Sequence, residues 1–132
     1  MQKALPFLSP GASVILTGST TGTMGTAGFS VYAASKAAVR SFARNWILDV
    51  KDRGTRINTL SPGPTRTPGL VDLAGPDAAH QQGLLAALAA QVPLGRVADP
   101  DEIGKTAVFL ASDDASYVTG VELFVDGGQA QV

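Results

Sequence analysis

The chain changes its periodicity twice between residues 13 and 62, and that alternation restricts the fold more than any other feature. "SVILT" (13–17) is a short apolar, partly β-branched run stopped by glycines, the pattern of a strand buried on both faces. From Ser30 to about Lys51 the repeat becomes helical. Val31, Ala34, Ala38, Phe42 and Ile47 fall along one side, Lys36, Arg40 and Arg44 along another, and Gly54 closes the stretch just past its basic end. "TRINTLSPG" then reads as a second strand, ended by Pro62-Gly63. Strand, helix and strand in that order predict a right-handed βαβ crossover and parallel pairing.

Downstream, Pro64 to Gly75 is rich in Pro, Thr and Gly and reads as a loop. The alanine-rich "DAAHQQGLLAALAAQV" is helical and "PLGRVA" breaks it. Asp99, Pro100 and Glu102 announce a further helix through an Asp-x-x-Glu capping pattern. Ile103, Ala107, Phe109 and Leu110 form its buried side, and it ends near Ala111. "GVELFVDGG" is a third strand leaving through Asp126-Gly127-Gly128. The expectation is one α/β domain over residues 1–132, with a parallel sheet of about three strands and three or four helices. With little chain before the first strand, one sheet edge is expected to be bare and covered by self-association.

Composition closes several function classes. The chain has 132 residues, 45% hydrophobic and 16% charged, with a net charge of −1. Nothing in that balance suggests a nucleic-acid footprint or a basic membrane face. It has no cysteine, which excludes disulfides and thiolate metal sites, and one histidine, His80, which excludes a histidine metal cluster within the chain. No segment reads as a signal peptide or a membrane span, so a soluble, cytoplasmic protein is expected.

The candidate chemistry lies at the first crossover. "TGSTTGTMG" comes within one residue of a T-G-x-x-x-G-x-G phosphate loop, with Met24 where the last glycine should be and Gly25 following it. Ser19 sits in this loop. Tyr32 and Lys36 follow in "VYAASK", and positions i and i+4 share a helix face. A tyrosine ionises near pH 10, about three units too high for a base at neutrality, and a neighbouring ammonium stabilises the phenolate. Tyr32 is therefore a candidate general acid/base, with Lys36 as its tuning cation and Ser19 as a hydroxyl that orients the reacting oxygen. Alone, each residue has a bland reading: Ser19 as a turn former, Tyr32 and Lys36 as a chance helical pair. Their conjunction on one strand–loop–helix unit carries the argument.

These residues resemble the short-chain dehydrogenase/reductase family, which carries Ser, Tyr-x-x-x-Lys and a later Pro-Gly, and the resemblance runs from about Ser9 to Gly128. It implies that Ser19 orients a substrate carbonyl, Tyr32 is the catalytic acid/base, and Lys36 binds the nicotinamide ribose of NAD or NADP. It also implies that Pro62, Gly63, Thr65 and Thr67 pass along the nicotinamide, Thr65 standing where the family usually has an apolar residue. Residues 68 to 95 match the family's variable substrate segment. "TGSTTGTMG" is then the catalytic-serine segment rather than a phosphate loop, and no acidic residue ends the next strand to bind a ribose.

The family's Gly-rich loop, ribose selector, Asn-Ala-Gly segment and catalytic asparagine all belong to an N-terminal half with no counterpart here, so the resemblance implies a Rossmann-like parallel sheet truncated to about three strands. "MQKALPFL" resembles the tail of the helix before the family's fifth strand. Three readings follow: an NAD(P)-linked oxidoreductase, or part of one, acting on a small-molecule carbonyl or alcohol; a non-catalytic half-fold that associates with itself as a homodimer; and a dimeric half-fold with a different small-molecule activity. His80 reads as a solvated helix residue, Arg40 and Arg44 as a solvated face or an interface rim, Phe42 and Trp46 as packing residues in this chain or against a second copy, and Asp126 as a turn former. Arg66 and Arg96 could approach an anionic cofactor or substrate group, but as loop arginines they read first as solvated.

Overall fold

A computed structural model describes residues 1–132. Three strands, β1 (Ser13–Thr17), β2 (Arg56–Pro62) and β3 (Glu122–Val125), form one parallel sheet in the order β1-β2-β3. Four helices accompany them: α1 (Ser30–Asp49), α2 (Pro68–Val71), α3 (Ala78–Ala89) and α4 (Pro100–Ala111). The α/β, parallel, three-stranded architecture is as the periodicity predicts, and its Rossmann-like form is as the resemblance implies. Residues 1–8 carry turns, with the Leu5 N–H donating to the Met1 carbonyl at 3.0 Å, and a 3-10 turn at Leu5–Phe7.

β2 is the central strand and is buried along almost its whole length. Ile57 faces α1, where it packs with Ala43 and Val50 and is bordered by Val14, Leu16, Trp46 and Ile47. The opposite sheet face meets α4. Ser13 Oγ and Arg56 Nη1 both donate to the Leu110 carbonyl, at 2.8 and 2.9 Å. Two parallel crossovers step the same way across the sheet yet place α1 and α4 on opposite faces, so they have opposite hands. A right-handed first crossover, as the sequence predicts, makes the second left-handed, against the usual preference.

The segment before β3 is clipped to β2 by a side chain. Asn58, fully buried, donates through Nδ2 to the Val118 carbonyl at 2.8 Å and accepts from the Val121 N–H at 3.1 Å. It stands in for ladder bonds where the backbone has not yet become a strand. The Asp99–Glu102 capping box forms as predicted, the Asp99 N–H donating to Glu102 Oε2 at 2.8 Å.

Two expectations are corrected. Residues 64–75 are not all loop: Thr67 caps α2 by accepting from the Leu70 N–H, Pro68 begins it, and a 3-10 turn follows at Asp72–Ala74. The side of α1 expected to pack inward also differs. Ala43 is its one fully enclosed residue, and Lys36, Arg40 and Ile47 share its inward side. Val31, Ala34, Ala38 and Phe42 are exposed, Val31 by 83% and Phe42 by 48%. The physical reason is Arg40: its guanidinium pairs with Glu122 at 3.3 Å and donates to the Gly120 carbonyl at 2.9 Å, which holds that side of the helix against the sheet.

Candidate active site

All three strands point their C-terminal ends the same way, and the turns that leave them gather at one edge, where α/β sheets bind ligands. The β1 turn carries Ser19, the β2 turn carries Pro62 and Gly63, and the β3 turn carries Asp126. Close packing joins them. A Cβ on Gly18 would collide with Ser61 Oγ, and one on Gly63 would lie 2.7 Å from Asp126 Cα. The Gly63 N–H donates to the Val125 carbonyl at 3.1 Å.

The turn after Ser19 lies directly on α1. A Cβ on Gly22 would sit 3.1 Å from the backbone of Lys36 and Ala37. That near approach is the use of the glycine: it brings the serine loop against the helical turn between Tyr32 and Lys36. Lys36 Nζ lies 5.5 Å from the centroid of the Tyr32 ring and donates to the Thr17 carbonyl at 3.0 Å. Phe29 meets the Tyr32 ring edge-on, centroids 5.9 Å apart. Tyr32 is 45% exposed and its phenol makes no hydrogen bond within the chain. Ser19 Oγ accepts from the Thr21 hydroxyl at 2.9 Å and from the Thr21 N–H at 3.3 Å, and makes no bond to Tyr32.

Thr65 and Thr67 follow in the same loop but are used locally. Thr65 Oγ1 donates to the Gly63 carbonyl at 3.0 Å and its backbone bridges to Ala98, while Thr67 caps α2. Asp126 shapes its turn as the sequence suggests: its carboxylate accepts from the N–H groups of Gly128 and Ala130 at 2.9 and 2.8 Å. That carboxylate is committed and almost wholly buried. The Asp126 carboxylate is thereby spent on its own turn, while Lys36 and the Pro62–Thr65 turn lie at the same strand ends.

Two ion pairs lay outside the sequence reading, which took these arginines as solvated. Arg40 with Glu122 continues through Ser61, whose Oγ donates to Glu122 Oε1 at 2.7 Å beside Gly18. The available signal was position: Arg40 is four residues beyond Lys36 and shares its face. Arg96 grips Glu102 with two 2.7 Å bonds. Together with the Asp99 N–H this holds the Glu102 carboxyl down at about 2. One depression, of about 510 Å³, is lined by Arg66, Leu85, Ala89, Arg96 and Val97. It includes none of Ser19, Tyr32 or Lys36, so chemistry rather than volume marks the site. No helix is long and apolar enough to cross a membrane.

Residues 1–130 match the family model described as enoyl-(acyl carrier protein) reductase. An oxidoreductase of Sarocladium schorii, asL5, is 46% identical over 134 residues, covering 100% of this chain and 51% of that protein. The chain thus spans about half the length of the curated relatives it matches. A short-chain dehydrogenase from Francisella tularensis superposes with a TM-score of 0.93 at 27% identity, covering 99% of this chain and 56% of that one. An angucycline C-6 ketoreductase, LanV, with bound NADP superposes at 0.87 and 26% identity, covering 99% of this chain and 48% of its own. With the serine turn packed on the tyrosine–lysine helix and a family model matched along almost its full length, the chain belongs to the short-chain dehydrogenase/reductase family.

Proposed function

We propose that this chain is the catalytic side of an oxidoreductase that interconverts a small-molecule carbonyl and its alcohol with NAD or NADP. The observation that carries the reading is the seating of the Ser19 turn on α1 at Lys36–Ala37, with the Lys36 ammonium beside the Tyr32 ring. When bound, the nicotinamide supplies or accepts the hydride. Tyr32 Oη gives a proton to the substrate oxygen in reduction and takes it back in oxidation. Ser19 Oγ donates a hydrogen bond to that oxygen and fixes its direction. Lys36 stabilises negative charge on the phenol oxygen and holds the ribose hydroxyls. Pro62, Gly63, Thr65 and Thr67 line the nicotinamide side, Gly63 and Thr65 through their backbone. NADP bound to a ketoreductase of the same fold supports this cofactor class. A cytoplasmic location belongs to the same proposal.

The test is titration of NADPH and NADH fluorescence with the purified chain and its Lys36→Ala variant. Binding lost in the variant supports the reading. Binding that survives it removes Lys36 from the cofactor site.

A second reading, an association module, is favoured by the exposed apolar side of α1. Self-association without nucleotide affinity would select it.

A further inference from the structure

Between α1 and the sheet, directly behind the serine turn, the packed layer is polar where such a layer is usually apolar. Side chains alternate along a strand, so Thr59 and Ser61 share the α1 side of β2 with Ile57. Glu122, in register with Thr59, shares that side on β3. Thr59 and Ser61 are fully buried, and the side chains of Arg40 and Glu122 are exposed by only 23% and 14%. The Thr59 hydroxyl has no hydrogen-bond partner in the chain. Stability alone does not favour this composition. Apolar side chains of similar volume would hold a helix to a sheet at least as well as a mostly enclosed ion pair beside an unpaired hydroxyl.

What the layer fixes is geometry. Arg40 Nε meets Glu122 Oε2 at 3.3 Å while Nη1 donates to the Gly120 carbonyl at 2.9 Å, two directions set by one planar group. The other Glu122 oxygen accepts from Ser61 Oγ at 2.7 Å, which holds that hydroxyl in one orientation. Ser61 Oγ fills the space that a Cβ at position 18 would need, so Gly18 rests on it one residue before Ser19. On the far flank of the turn, Gly22 lies against the backbone of Lys36 and Ala37. The serine turn is thus gripped between Ser61 and α1, and Arg40 ties one grip to the other through Glu122. Arg40 stands one helical turn beyond Lys36, whose own bond to the end of β1 is to the Thr17 carbonyl at 3.0 Å.

We propose that Arg40, Glu122 and Ser61 are positioning residues. The chain they form sets the spacing between the serine turn and the Tyr32–Lys36 face. It also keeps α1 seated when the Lys36 ammonium leaves Thr17 for the cofactor. The three act through Ser19, Tyr32 and Lys36 rather than on the substrate. That purpose rests on the proposed function; the mechanical coupling of Arg40 to the serine turn does not.

The experiment compares the full chain with Arg40→Met, Glu122→Leu, the double variant and Ser61→Ala. Each single change in the ion pair leaves one enclosed charge without its partner and is expected to lower the melting temperature. The double change removes both charges and is expected to recover most of that loss. The serine turn is not expected to recover with it. Its own bonds report on it, since the Thr21 N–H donates to Ser19 Oγ at 3.3 Å and the Gly22 N–H to the Ser19 carbonyl at 3.0 Å. In the double variant, and in Ser61→Ala, these two amides are expected to exchange with deuterium about tenfold faster than in the parent chain, while Ile57 and Asn58 keep their rates. Turn amides that are unchanged, or that recover along with the melting temperature, overturn the proposal. In an assembly that turns over, the double variant is expected to lose about tenfold in kcat with the KM for nucleotide nearly unchanged. A change confined to KM overturns the positioning role. Exchange is measured without nucleotide or turnover, so a failure here is distinct from a failure of the oxidoreductase reading.

Discussion

Gly18 has no room for a side chain: a Cβ there would strike Ser61 Oγ and lie 2.7 Å from Thr59 Cγ2. Both neighbours are fully buried on β2. Gly18→Ala is therefore expected to destabilise the chain by about 1–3 kcal/mol, read from urea unfolding, because the core must be pushed apart. Tyr32→Phe tests the opposite kind of residue, one half exposed and without a bond to lose. In an assembly that turns over, it is expected to abolish turnover while leaving the melting temperature and nucleotide affinity nearly unchanged; retained activity would remove Tyr32 from the chemistry. Glu102 supplies the pH dependence. Its carboxyl is lowered from 4.5 to about 2, first by the Arg96 hydrogen bonds and then by the Asp99 N–H. A depressed acid stabilises the fold fully above its unfolded value and loses that contribution as pH falls through the folded one. Thermal unfolding between pH 4.5 and 2 should thus fall less steeply in Glu102→Gln than in the parent chain.

Helix α4 shows how local signals and distant ones divide the work. Its start is set by neighbours in sequence, Asp99, Pro100 and Glu102, and was legible for that reason. Asp99→Ala is expected to cost about 1 kcal/mol in chemical denaturation. Its end is set from a strand far away in sequence. Arg56 donates to the Leu110 and Ser112 carbonyls at 2.9 and 3.1 Å, using a cation where the helix dipole is negative. Nothing in "TRINTLS" announces that. The same division explains α1. Its length and amphipathic character could be read, but its inward side could not. Hydrophobicity marks Val31 and Phe42 as residues to be covered without saying by what, while the partner that draws Arg40 inward, Glu122, lies on another strand. The candidate site divides likewise. Ser19, Tyr32 and Lys36 could be put forward from the sequence because they lie on one strand–loop–helix unit. The Ser61–Glu122–Arg40 chain was missed because it joins three elements.

At the level of the whole molecule, the three strands are unequally protected. β2 has a neighbour on each side and a helix on each face, and Ile57, Asn58, Thr59 and Ser61 are almost completely enclosed. β1 and β3 each have one neighbour, and every residue of β3 is only half-buried. Any route by which this protein comes apart therefore removes an outer strand before it reaches the middle one. Deuterium labelling should find its slowest backbone amides between Ile57 and Ser61, with β1 and β3 exchanging through smaller, separate openings. A crossover of unusual hand that ties β3 to the far face would then loosen without disturbing the strand to which Ser19 and α1 are anchored.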